Sequence, residues 1–191
     1  MYLFFDTETT GLPRDYKAPI SELDNWPRMV QIAWLQYNDL GEKLLGRTYI
    51  IKPQGFTVPE NASRIHGITN EMAVNEGSDL KEVLLEFSEV LNKSKTLVAH
   101  NISFDEKIVG AELLRNNIET NILEIPKICT MKSSMDFCKI PSRYRRYKWP
   151  NLSELHSILF NKPLLNGHDA MVDTTACAEC FFELKSRGVI E

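Results

Sequence analysis

Apolar positions recur along this chain with two different periods. Positions 2–5 (YLFF), 29–37 (MVQIAWLQY), 44–51 (LLGRTYII) and 96–99 (TLVA) are strand-length runs rich in aromatic and β-branched residues, as expected of buried strands. Asn38, Asp39 and Gly41 supply turn chemistry between the second and third runs, which predicts an antiparallel hairpin. Leu80, Val83, Leu84, Phe87, Val90 and Leu91 repeat at helical spacing, so residues 79–91 form an amphipathic helix with Glu82, Glu86 and Glu89 on its solvated face. Asp79 and Glu82 have the spacing of a capping box. A second helix is expected over 101–117, anchored by Ile102, Ile108, Val109, Leu113 and Leu114; Ser103 and Glu106 again have capping-box spacing and put Asp105 in its first turn. A short helical turn at 59–69 ended by Gly67, a short strand at 127–130 and helices at 151–160 and 169–185 complete the pattern. Residues 12–27, with Pro13, Pro19 and Pro27, read as an irregular loop placed to rim whatever lies at the end of the first strand. Strands first, then helices alternating with strands, predict an α/β fold with a mixed sheet flanked by helices.

Composition narrows the class. With 191 residues, 43% hydrophobic and 25% charged, the chain suits one domain over residues 1–191. No apolar run is long enough to span a bilayer, and no basic-then-apolar leader opens the chain, so a soluble cytoplasmic protein without membrane contact is expected. The four cysteines, Cys129, Cys138, Cys177 and Cys180, form no disulfide framework; the Cys177–Cys180 pair falls inside a predicted helix, where buried reduced thiols are favoured over zinc. A net charge of −4 argues against broad adhesion to nucleic acid but leaves local basic contacts open.

The first strand runs directly into Asp6-Thr7-Glu8. Side chains two apart on a strand share a face, so the two carboxylates repel unless protonated or neutralised by a cation. Taken alone, Asp-x-Glu serves equally well as a solvated strand end. Further along, Asp105 sits in a helix's first turn, and His168 precedes a helix carrying Asp173. Residues five apart on a helix point about 140° apart, so His168 must lie on the preceding loop to converge with Asp173. Asp169 is then the helix cap.

These segments carry a resemblance. DTETTG at 6–11, HNISFD at 100–105 and HDAMVD at 168–173, with IHGIT at 65–69, resemble in order the motifs of the DEDDh 3′→5′ exonucleases, the family of the polymerase III epsilon subunit, RNase T and oligoribonuclease. The resemblance implies an RNase H-like fold with a central five-stranded mixed sheet. It also implies two divalent ions, Mg²⁺ or Mn²⁺, held by Asp6, Glu8, Asp105 and Asp173, with His168 as general base. Thr7, Thr9, His66, Ile68, His100 and Phe104 are placed near the terminal nucleotide, with Ile68 and Phe104 against bases. The implied partner is single-stranded nucleic acid with a free 3′ end, DNA ahead of RNA, and a noncatalytic nucleic-acid-binding module is the remote alternative. Outside those motifs, residues 139–148 (KIPSRYRRYK) interleave Arg143, Arg145 and Arg146 with Tyr144 and Tyr147, a mixture able to grip phosphates and stack on unpaired bases. The chain ends just past its last helix with no tail suited to a polymerase or clamp, which argues against a dedicated replicative proofreading role and leaves DNA repair or RNA trimming as expected roles, with polymerase association open.

Overall fold

The computed structural model describes residues 1–144 and 146–190. Five strands form one mixed sheet in the order β3-β2-β1-β4-β5. β1 (Tyr2–Thr9) is central, paired antiparallel with β2 (Met29–Tyr37) and parallel with β4 (Thr96–Ala99). β3 (Lys43–Ile50) pairs antiparallel with β2, and β5 (Lys127–Cys129) pairs parallel with β4. The expected hairpin joins β2 to β3: the Asn38 side chain accepts the backbone N–H groups of Leu40 and Glu42, and Gly41 takes a φ of 82°, open to glycine at little cost.

Alternation along β1 divides the core. Leu3 and Phe5 face one layer with Trp34, Leu84 and Phe87, supplied by α3 (Leu80–Leu91) and α4 (Ile102–Arg115). Phe4 faces the other with Leu155, Cys177 and Phe181, supplied by α7 (Leu152–Phe160) and α8 (Ala170–Ser186). Edge-on aromatic contacts join sheet to helix on both sides: Phe5 to Phe87 at 5.6 Å and Phe4 to Phe181 at 5.2 Å between ring centres. Cys177 and Cys180 are buried in α8, and burial raises both thiols, Cys180 to about 12. No helix among the described residues is long and apolar enough to cross a membrane.

Several local details differ from the sequence pattern. The segment after β3 holds two helices, α1 (Glu60–His66), ended by Gly67 at φ 77°, and α2 (Asn70–Glu76), capped by Thr69. Two single-turn helices, α5 (Thr130–Ser133) and α6 (Met135–Cys138), follow β5. Ser103 does not cap α4: the helix begins at Ile102, two residues earlier than a Ser103 cap would start it, with Asn101 at the N-cap in the left-handed region, which asparagine tolerates better than most residues. Asp105 stays in the first turn regardless.

One charge cluster lies deep in the frame. Glu112 of α4 is fully buried and accepts from Arg28 Nε at 2.8 Å and from the Met29 backbone N–H at 3.1 Å, with Arg115 Nη1 at 3.1 Å. Arg28 exchanges two bonds with Thr10: its N–H donates to the Thr10 hydroxyl and its carbonyl accepts the Thr10 N–H. Glu112 thus pins the turn that follows β1. Replacing it with alanine leaves two arginines short of their counter-charge, and denaturant unfolding should report a loss of about 3–5 kcal/mol. The exposed Arg64–Glu60 pair should matter far less, with Glu60→Ala costing under about 1 kcal/mol. Equal costs would contradict a structural role for the buried cluster.

Candidate active site

β1 and β4 are parallel, so their carboxyl ends emerge at one sheet edge. Asp6 and Glu8 lie there on the face turned toward α8, below the last hydrogen-bonded pair, Phe4 and Val98. Asp105 reaches the same point from α4 on the opposite face and is 3% exposed. Its Oδ1 accepts both the backbone N–H of Thr7, at 3.1 Å, and the Thr7 hydroxyl, at 2.8 Å. Thr7, which points away from Asp6 and Glu8, is therefore the clamp that brings a helix carboxylate to a strand.

α8 supplies the remaining members. Asp169 caps it, accepting from the N–H groups of Met171 and Val172. His168 sits on the loop before it at φ 70°, and its backbone N–H donates to Asp173 Oδ2 at 3.0 Å. That reversal resolves the angular mismatch between positions 168 and 173. Ligand atoms of Glu8, His168 and Asp173 all lie within 4.8 Å of one another.

The start of α8 is held by a residue that the motif pattern did not flag. Gln31, opposite Glu8 on β2 and 5% exposed, accepts the Ala170 N–H at 3.0 Å and donates to Asp169 Oδ2 at 3.2 Å. A glutamine inside an otherwise apolar strand was the available signal.

The electrostatics follow from crowding. Asp6 is raised well above its ordinary value, first by burial and then by Asp105, Asp173 and Glu8. Glu8 is raised to about 8 by burial and then Asp173. Burial raises Asp105 to about 7 against the opposing hydrogen bonds from Thr7, and burial also raises Asp173. No ion pair among the described residues reaches these four carboxylates. A carboxylate-rich donor set without a cationic partner fits hard divalent ions such as Mg²⁺ or Mn²⁺.

Beside the carboxylates lies a cleft of about 470 Å³ lined by Thr7, Glu8, Thr9, Leu12, Ile65 and Phe104, with His66 at its wall. The Thr9 hydroxyl donates to the Gly11 carbonyl, and residues 11–12 rim the cleft, as the loop's position suggested. His66 Nδ1 accepts the Ile68 N–H, and burial lowers its pKa against the opposing influence of the Thr9 backbone. Ile68 departs from the expected exposed contact: it is 5% exposed and packs with Val30, Val58 and Ala73. The left-handed turn at Gly67 rotates it inward, leaving Ile65, 60% exposed, as the apolar side chain at the cleft. Phe104 lines the cleft with Tyr16 6.5 Å away. His100 has both ring nitrogens in hydrogen bonds within the protein, to Thr130 and to the Pro150 carbonyl. Arg143 and Arg146 are exposed on a separate loop, and Arg145 lies outside the described residues.

The chain matches the RNase T-type exonuclease family over residues 3–181, and it belongs to that family. It is 34% identical over 109 residues to the DNA polymerase III epsilon subunit of Treponema pallidum (strain Nichols), covering 57% of this chain and 44% of that protein. It is 27% identical over 187 residues to the PolC-type DNA polymerase III of Latilactobacillus sakei subsp. sakei (strain 23K), covering 98% of this chain. The chain spans only 11% of that polymerase's length. Among solved structures it resembles E. coli exonuclease I in complex with a dT13 oligonucleotide, with a TM-score of 0.76, 18% identity and coverage of 97% of this chain and 41% of that one. It also resembles exonuclease X in complex with 5′ overhanging duplex DNA, with a TM-score of 0.61, 23% identity and coverage of 98% and 93%. The five-stranded mixed sheet is thus the RNase H-like fold of exonucleases.

The raised carboxyls carry a stability signature. Glu8 ionises near 4.5 in an unfolded chain and at about 8 in the fold, so the folded state binds more protons between those values. Metal-free stability is then fully present below the lower value and falls as pH rises through the higher one. In chelator, the melting temperature should drop between pH of about 5 and about 8, Mg²⁺ should restore it at the upper end, and Asp173→Asn should flatten the profile. A metal-free melting temperature that rises over this range would contradict the crowding.

Proposed function

We propose that the chain is a metal-dependent 3′→5′ exonuclease that removes nucleoside monophosphates from single-stranded DNA. The observation that carries this function is the meeting of four carboxylates from β1, α4 and α8 with His168, at the sheet edge of a chain in the exonuclease family. The oligonucleotide-bound exonuclease I supports a single-stranded substrate.

Asp6, Glu8, Asp105 and Asp173 would hold two divalent ions. Bound there, the ions would supply Lewis-acid polarisation of the phosphodiester and stabilise the developing charge on the attacking and leaving oxygens. The residues of the chain do the rest. Thr7 and Gln31 hold Asp105 and the start of α8 in place before substrate arrives, so little reorganisation is required during reaction. The cleft between Phe104 and Ile65 takes the terminal nucleoside by apolar contact, which any base can satisfy. His168, exposed on its loop beside Glu8 and Asp173, takes the proton of the attacking water as the new P–O bond forms. The P–O3′ bond breaks, and the departing 3′ oxygen takes a proton from solvent water.

His168→Ala should lower turnover by about 10²–10⁴-fold, the usual contribution of a general base, while leaving divalent-ion affinity nearly unchanged in a calorimetric titration. Retention of most turnover would make the histidine structural. Linear end-labelled DNA should be consumed in Mg²⁺ and spared in chelator, and a circular single strand should survive. Rapid cutting of the circle would show an endonuclease. Faster consumption of a matched RNA oligomer would favour RNA trimming.

A further inference from the structure

Residues 137–153 carry five cationic side chains and no acidic one in a chain of net charge −4. The segment is an ordered hairpin in its described part. Pro141 bridges antiparallel to Tyr147, and the Lys148 N–H donates to the Ile140 carbonyl at 2.9 Å. Its foot is held by Lys148, which donates to Glu154 at 2.5 Å, inside the capping box of α7. Its tip is exposed: Tyr144 is 94% exposed, Arg146 lies 5.2 Å over the Tyr147 ring, and among the described residues Arg143 and Arg146 form no ion pair. Cations left without acidic partners beside the solvent-facing Tyr144 match the phosphates and unpaired bases of a single strand.

A second tether links the hairpin to the active site. The Pro150 carbonyl, at the hairpin's end, is 3.0 Å from His100 Nε2. A carbonyl can only accept, so Nε2 carries the ring proton. Burial keeps the ring neutral, its pKa pushed down to about 4. Nδ1 must then accept, and its 3.0 Å contact is a bond donated by the Thr130 hydroxyl. The same hydroxyl makes a longer, competing contact to the Ala99 carbonyl at 3.5 Å and lies 3.6 Å from the Cys177 thiol, which burial keeps protonated. A chain of contacts thus runs from Cys177 through Thr130 and His100 to Pro150. Both ends matter. Cys177 is four residues beyond Asp173 on α8, and His100 lies two residues beyond Val98, as Asp6 lies two beyond Phe4 in the parallel register.

We propose that the described residues of this hairpin, 139–144 and 146–150, form a second contact surface for single-stranded DNA, gripping the strand 5′ to the bond being cut, and that His100 is its positioning residue. This rests on the exonuclease function proposed above. His100 is thereby withdrawn from direct contact with the terminal nucleotide, because both its ring nitrogens serve the tether.

The test is binding of a fluorescently labelled oligothymidylate in chelator, followed by anisotropy across a salt series. Removing two phosphate contacts with Arg143→Ala/Arg146→Ala should reduce the slope of log affinity against log salt by about 1.4, so that the loss between 50 and 200 mM salt shrinks about sevenfold. His100→Ala should weaken binding and flatten the slope in the same direction, and His100→Gln, which keeps a donor for Pro150, should recover both. Combining His100→Ala with the double arginine variant should add little further, since residues acting through one element are not additive. An unchanged slope in the arginine variant, whose exposed positions do not threaten folding, overturns the surface. Full additivity, or no recovery by glutamine, overturns the role of His100. Hydrolysis by the wild type is scored separately with Mg²⁺, so loss of the exonuclease function and loss of this surface are distinguishable.

Discussion

Mutual repulsion among four carboxylates is the constraint that the rest of this structure accommodates. Asp6, Glu8, Asp105 and Asp173 are all pushed toward the protonated form by burial, the first three also by members of the group and Asp173 also by Asp169. Left to themselves the bearing elements would splay. They are held by bonds that do not neutralise the charge: Thr7 fixes Asp105, Gln31 fixes the cap of α8, and the His168 backbone fixes Asp173. Each leaves carboxylate oxygen atoms for a cation. The fold therefore stores an unfavourable charge arrangement that bound divalent ions would relieve, and reduced stability in their absence would be the cost of that preorganisation.

The central position of β1 makes this arrangement affordable. β1 is covered on both faces and bonded to β2 and β4 on either side, so its backbone is held from four directions. Its alternation sends Phe4 and Phe5 into separate cores and then carries Asp6 and Glu8 to the α8 face. The same packing that fixes the aromatic rings fixes the carboxylates two and four residues on. Glu112 extends the logic past the strand end, because its buried bonds to Arg28 steady the turn at Thr10.

The sheet and the long helices were legible because their apolar periods are long and unambiguous, as in 29–37 and 79–91. The convergence of Asp6, Glu8, Asp105, His168 and Asp173 was legible through the resemblance of three ordered motifs to a known family, since no single motif requires it. What stayed hidden depends on single backbone reversals or on pairings across the sheet. Gly67 in the left-handed region turns Ile68 into the core and Ile65 out to the cleft, an inversion that composition does not encode. Asn101 takes the N-cap from Ser103 by the same kind of reversal. Gln31 acquires its role only when β2 lies beside β1 and brings it to the start of α8. The short helices after β5 contain a single turn each, too few residues to show a period. His100 sits in a family-like motif, yet both its ring nitrogens form hydrogen bonds within the protein.

The central claim is that these carboxylates exist to hold two divalent ions, and it can be tested by counting them. Calorimetric titration of Mn²⁺ into the protein with a nucleoside 5′-monophosphate present should give two ions per chain, as expected for a two-ion phosphodiesterase site. Asp6→Asn should abolish that stoichiometry without unfolding the chain. Binding that is absent in the wild type, or undiminished in the variant, would contradict it.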